Sequence, residues 1–259
     1  MNVEVSNLHF GYEKAKPILN GLSFNVAEGE ILGVLGGSGS GKSTLLRLIC
    51  GILQKTKTNL FDGAIAINGI KDSTAFRKNG QIGFMFQEPA LLPNLSLKEN
   101  IHLPGSMNRA LNYNPTFADD LINFVGLEKY KKFLPKELSG GMQTRVALAR
   151  TFVTKPQLLL LDEPFSSLDY GWKTDLYKRL IDLVKQFKST TIIVSHDINE
   201  LILLCDRVII LSKSGSFLHD DFYLSNKPNN FSPKSINDYL IANNEAIVSI
   251  QSHLLQDKN

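Results

Sequence analysis

One stretch limits what this chain can fold into more than any other: EILGVLGGSGSGKSTLLRLI, residues 30–49. From Ile31 to Gly36 every residue is apolar or glycine, the pattern of a strand buried on both faces. Such a strand belongs inside a parallel sheet covered by helices, which points to an α/β fold. The chain then passes glycines at 36, 37, 39 and 41 and enters a periodic run that predicts a helix from Lys42 to Ile52. Glycines let successive backbone N–H groups turn inward, and an open helix start adds partial positive charge. Strand, glycine loop and helix together make a cradle for anions, phosphate above all.

The loop fits G-x-x-x-x-G-K-[ST], with Gly36, Gly41, Lys42 and Ser43 in the defining places. Lys42 would set its charge against the β- and γ-phosphates of a nucleotide. Ser43 would offer its hydroxyl to Mg²⁺.

Around this unit the patterns alternate. VEVSNLHFGY and ILNGLSFNVAEGE, in the first 30 residues, read as antiparallel strands. GAIAINGI and QIGFMFQ read as further strands, and from Glu88 to about Pro156 the chain is helical and loop-rich. QLLLLDEP, TTIIVSHD and RVIILS then read as apolar strands separated by helices at 171–187 and 197–205. The expected fold is an α/β core with a mostly parallel sheet, an N-terminal antiparallel β-subdomain and an inserted helical lobe. A tail from Asn226, with Ser232-Pro233 as a helix entry, should add one or two short helices over 233–255. The expected partition is 1–225, with the helical part at about 88–156, and a tail at 226–259.

Further chemistry sits at strand ends. LLLLDEP, residues 158–164, delivers Asp162 and Glu163 where a doubly wound sheet presents ligands. Asp162 would hold Mg²⁺ through its water shell, and Glu163 is the candidate general base for an attacking water. His196, in SHD, ends a strand expected beside the carboxylates and could reach the γ-phosphate or the water. Gln87 ends GFMFQ in a similar position, where an amide could touch Mg²⁺ or water. KELSGGMQTRVALAR, residues 136–150, holds a second glycine-opened helix start. One set of catalytic groups thus accompanies two anion-attracting helix ends.

Composition narrows the partners. The 259 residues are 43% hydrophobic and 20% charged with a net charge of +3, an ordinary globular balance that argues for no nucleic-acid partner. The two cysteines, Cys50 and Cys205, lie in apolar helical patterns and are expected to be buried free thiols. MNVEVSNLHF alternates like a strand rather than a secretory leader, and no apolar run approaches the roughly 20 residues of a membrane span. The expectation is a cytoplasmic protein with room for a peripheral seat on a membrane partner.

With these residues laid out, the chain resembles the ATPase subunits of ABC transporters over residues 3 to about 220. Gly36, Gly37, Ser38, Gly39, Ser40, Gly41, Lys42, Ser43 and Thr44 resemble the Walker A loop, Gln87 the Q-loop, and Leu138–Gln143 the ABC signature. Leu158–Glu163 resembles Walker B, Ser167-Leu168-Asp169 the D-loop, and His196 the switch histidine. Tyr12 matches the aromatic that stacks on adenine in this family. The resemblance implies a P-loop NTPase core, ATP and Mg²⁺, and catalysis by Lys42, Gln87, Glu163 and His196, with Ser43, Gln87 and Asp162 on the metal. It also implies a head-to-tail dimer, in which Ser139, Gly140, Gly141 and Gln143 close on the nucleotide of a second copy.

FQEPALLPNLSLKENI, residues 86–101, is similar to the nitrate/sulfonate/taurine-type importer ATPases, in which this segment receives a cytoplasmic helix of the membrane subunit. That implies permease subunits, a solute-binding protein in the full complex, and a seat on the cytoplasmic face of the inner membrane. An ABC exporter or lipid transporter, or a soluble ABC-type ATPase, is the alternative reading. Two departures stand out: the signature reads LSGGM rather than LSGGQ, and Gly37 stands where related importers often carry Pro.

Overall fold

A computed structural model describes residues 1–107, 113–168, 170–224, 227 and 231–256. In chain order its elements are β1 (Val3–Gly11), β2 (Leu19–Val26), β3 (Ile31–Gly36), α1 (Lys42–Ile49), β4 (Leu60–Ile67), α2 (Thr74–Lys78), β5 (Ile82–Met85), α3 (Leu97–Met107) and α4 (Pro115–Phe124). There follow α5 (Gly140–Phe152), β6 (Leu158–Asp162), α6 (Tyr170–Phe187), β7 (Thr190–Ser195), α7 (Ile198–Leu204), β8 (Arg207–Leu211), β9 (Phe217–Tyr223), α8 (Pro233–Ala242) and α9 (Asn244–Gln256). One sheet has the order β2-β1-β4 and is antiparallel throughout. The other runs β5-β6-β7-β3-β8-β9, parallel except for the β8–β9 pair.

Burial explains both patterns. β3, β6, β7 and β8 are buried along their whole length, because the central strands of a covered parallel sheet face packed side chains on both sides. One face shares a core with the helices after β5 and with the tail, including Leu35, Leu97, Val146, Phe165 and Ile250. The other packs with the antiparallel sheet and α1, through Phe10, Leu22, Leu46, Leu160 and Val194. Full burial of each such side chain contributes roughly 1.5–3 kcal/mol.

The helix after the glycine loop ends at Ile49, three residues sooner than its apolar run suggests. Gly51 adopts φ 70°, which reverses the chain, and a Cβ there would meet Ser73 Oγ at 2.4 Å. β9 has no counterpart in the sequence reading. It is an edge strand, and Asp221 within it pairs with the Arg207 guanidinium on β8 instead of extending an apolar run.

The tail forms two helices. Ser232 caps α8 by accepting from Ser235 N, and the Tyr239 hydroxyl donates to Ile202 O at 2.8 Å, fixing α8 to α7. Asn226 lies outside the described residues. Cys50 and Cys205 are free and buried. Burial pushes the Cys50 thiol up to about 12 and raises that of Cys205 as well, so neither is a reactive thiolate. No helix among the described residues is long and apolar enough to cross a membrane.

Candidate active site

Strand register brings the chemistry to one edge of the sheet. β7 lies between β3 and β6, with Leu35 opposite Ser195 and Val194 opposite Asp162. The glycine loop, the carboxylates and the histidine therefore emerge side by side at carboxyl ends, where an α/β sheet opens a crevice. A cleft of ≈ 640 Å³ results, lined by Ile18, the loop from Ser38 to Thr44, Gln87, Glu163, Ser166 and His196.

Gly39 and Gly41 adopt φ 82° and 92°, and a Cβ on Gly41 would sit 2.6 Å from Leu19. A glycine is thus required there on two counts. Lys42 is buried, and its Nζ donates to Gly36 O at 2.7 Å and Gly37 O at 2.9 Å. Burial lowers its pKa, opposed by the charges of Glu163 and Asp162. Those carbonyl bonds hold the ammonium against the backbone of the glycine loop.

The Ser43 hydroxyl donates to Asp162 Oδ1 at 2.9 Å, while Asp162 Oδ2 is buried with no hydrogen-bond partner. An orphaned carboxylate oxygen beside a hydroxyl suits a hard cation such as Mg²⁺, which keeps waters and takes few protein ligands. No group of three or more His, Cys, Asp or Glu able to hold a metal occurs among the described residues. Any cation here would lean on substrate phosphates as well as on this pair.

Glu163 adopts φ 49°, a left-handed conformation that costs a non-glycine residue about 1–3 kcal/mol. It turns the side chain toward β7, where Oε2 meets His196 Nδ1 at 2.5 Å. The Ser166 hydroxyl donates to Glu163 O at 3.2 Å and steadies the turn.

Tyr12 stands at the rim of the cleft, and the residues around the second glycine-opened helix start lie outside its lining. Tyr12 is half exposed, edge-on to Phe10 at 5.3 Å, with its hydroxyl 3.4 Å from Thr44 Oγ1. Ser139 caps α5 by accepting from Met142 N, which leaves Gly140 and Gly141 as an open helix start outside the cleft lining. The Gln143 amide donates to Pro135 O and Leu138 O, so this side chain holds its own loop together. Asp169 lies outside the described residues, but Ser167 beside it meets Thr144 of α5, Oγ to Oγ1, at 2.6 Å.

Two cleft residues, Ile18 and Ser166, carry no sequence signal of their own. Ser166 stands three places after Glu163 and could have been found as part of that turn. Ile18 arrives only because the chain between β1 and β2 folds over Gly41.

Residues 19–166 match the family model described as ABC transporter. The chain belongs to the ABC transporter family. As such it is the ATP-binding, ATP-hydrolysing subunit, coupled to transport. It is 37% identical to the aliphatic sulfonates import ATP-binding protein SsuB of Bacillus anthracis, over 83% of this chain and 82% of that protein. It is also 37% identical to an SsuB of Pseudomonas syringae, over 78% of this chain and 80% of that one. The solved dimeric ATP-binding cassette MJ0796, in a post-hydrolysis state with ADP and Pi, superposes with a TM-score of 0.76 at 29% identity. That match covers 86% of this chain and 99% of the cassette. The ABC ATPase architecture expected from the sequence is the one found.

Proposed function

We propose that this ABC subunit powers uptake of a small sulfonate-type anion through a membrane permease, hydrolysing Mg-ATP at the cytoplasmic face. The observation that carries the site assignment is the convergence of Lys42, the Ser43–Asp162 pair and the Glu163–His196 pair at one sheet edge. Similarity to the sulfonate importers supports the cargo class.

The loop from Gly36 to Thr44 binds the phosphates through its N–H groups, and Tyr12 offers a ring for adenine. Ser43, Asp162 and Gln87 are disposed to hold Mg²⁺, which when bound supplies charge neutralisation on the phosphate oxygens. Glu163 orients a water, whose oxygen attacks the γ-phosphorus in line as the bond to the β-phosphate oxygen breaks. Glu163 takes the water's proton, Lys42 steadies charge leaving on ADP, and His196 holds the Glu163 carboxylate in aim. Ser139, Gly140 and Gly141, standing outside their own cleft, serve the γ-phosphate bound by a second copy, with Gln143 bracing the loop. Two identical composite sites follow from twofold symmetry.

Residues 1–225 form the ATPase domain in this reading, with a helical part at about 88–156 and a tail at 226–259. The permease docks beside the segment after Gln87. Leu92 is exposed there, Arg150 donates to Pro89 O and Ala90 O, and Asn100 bonds both Leu92 N and Leu92 O. An adjoining groove of ≈ 540 Å³ is lined by Phe84, Phe86, Leu103 and Met107 among others. A solute-binding protein completes the importer.

The test is to tag the Glu163→Gln chain, hold it with Mg-ATP, and identify what leaves the membrane with it. A multi-span permease accompanied by a sulfonate-binding protein is the expected result. Recovery as a dimer with only cytosolic proteins would overturn the transport assignment.

A further inference from the structure

We infer that Glu200 and Lys173 are positioning residues, an ion pair with a buried carboxylate that ties the loop carrying His196 to α6, the helix that follows the segment touching the signature helix. The inference rests on the role proposed above for His196.

Glu200 lies in the first turn of α7 and is 3% exposed. A carboxylate this deep is costly unless both oxygens find partners. Both do. Oε2 accepts from Ser195 Oγ at 2.8 Å, and Oε1 accepts from Lys173 Nζ at 2.8 Å. Ser195 Oγ also accepts from Asp197 N at 3.0 Å, and Lys173 Nζ lies 3.9 Å from Asp197 Oδ2. The residues on either side of His196 are therefore both in the network, while its own ring is left free to meet Glu163.

Lys173 is the other anchor. It sits near the start of α6, just after the segment Ser166–Leu168. That segment touches α5 twice, through the Ser167–Thr144 hydroxyl pair at 2.6 Å and through Gly141, whose Cβ would stand 3.2 Å from Leu168. The segment that meets α5 thus leads along the chain into α6, and the ion pair joins α6 to the strand end that bears His196. An apolar pair of similar shape would hold α6 and α7 together at least as well. What the charged pair adds is direction: its hydrogen bonds set the Ser195 hydroxyl and the turn that follows. In the composite site, engagement of one copy's signature helix would bear on the aim of that copy's own His196.

The experiment compares purified full-length chains: wild type, Lys173→Met with Glu200→Gln, Lys173→Arg, and His196→Ala. For each, steady-state ATP hydrolysis is measured beside thermal melting and equilibrium binding of Mg-ATP. The double variant keeps the shape and removes both charges together, so it avoids the uncompensated buried charge that Lys173→Met alone would leave. It is expected to melt near wild type and bind nucleotide normally, with kcat down about tenfold or more and KM within about twofold. Lys173→Arg should keep most of the turnover. A folded double variant with wild-type kcat, beside an inactive His196→Ala, would overturn the inference and leave the site assignment standing. Loss of nucleotide binding in step with turnover would also overturn it, since that marks a structural prop. Wild-type turnover by His196→Ala would remove the role of His196 and the inference with it.

Discussion

The Ser43 hydroxyl hydrogen-bonds Asp162 Oδ1 at 2.9 Å, joining residues 119 apart in the chain. The bond fixes the glycine loop to the end of β6 before any ligand arrives, and it leaves the other carboxylate oxygen buried and unsatisfied. Burial raises the Asp162 pKa, with the Ser43 bond and the Arg47 charge opposing in part. A raised folded-state pKa makes the protonated form the one that favours folding. Its stabilising contribution is complete below the unfolded value of about 4 and is lost as pH rises through the folded value.

Asp162→Asn should therefore melt higher than wild type at neutral pH without nucleotide, and its melting temperature should fall less between acid and neutral pH. The same change should abolish Mg-dependent turnover. Thermal melts across that range, with phosphate release measured in parallel, check both halves. A variant that melts below wild type at neutral pH would show that this carboxylate stabilises the empty protein.

Glu163→Gln keeps the size of the side chain and its neighbour His196 but removes the proton acceptor. Turnover should drop by about 10²–10⁴-fold while nucleotide affinity stays close to wild type. Single-turnover hydrolysis and equilibrium binding separate the two effects. Unchanged hydrolysis would reject the general-base role.

Mixing two dead variants tests whether sites are shared between copies. Lys42→Ala spoils the phosphate loop, and Ser139→Glu spoils the signature. An equal mixture should recover roughly a quarter of wild-type turnover, because half of the dimers are mixed and each mixed dimer has one intact site of two. A mixture as inactive as its components would argue that each chain works alone.

Much of this was legible in the sequence because the informative residues sit next to strong local patterns. The glycine loop follows a wholly apolar strand, and Asp162–Glu163 and His196 end others, so motif and element define each other. What escaped has long-range causes. β9 owes its place to the Arg207 guanidinium, which is buried and also donates to Glu30 Oε1 at 2.7 Å and to Asn25 O. Ile18 reaches the cleft through a hairpin, and Glu200 looks like one more acid on a helix until Ser195 and Lys173 close around it. The early end of α1 depends on a reversal at Gly51 that its apolar neighbours do not announce.

The order of strands across the large sheet has a consequence for synthesis on the ribosome. β3 bears the phosphate loop and leaves early, yet both strands that flank it, β7 and β8, lie beyond residue 189. At about 5–20 residues per second, Lys42 precedes His196 by roughly 8–30 s. Through that interval the nascent chain carries a phosphate loop on a strand with no sheet neighbours and no histidine to complete it. On the proposed roles, a chain cut short anywhere before β7 would lack both sheet neighbours of β3 and the histidine, and is expected to bind or hydrolyse no ATP.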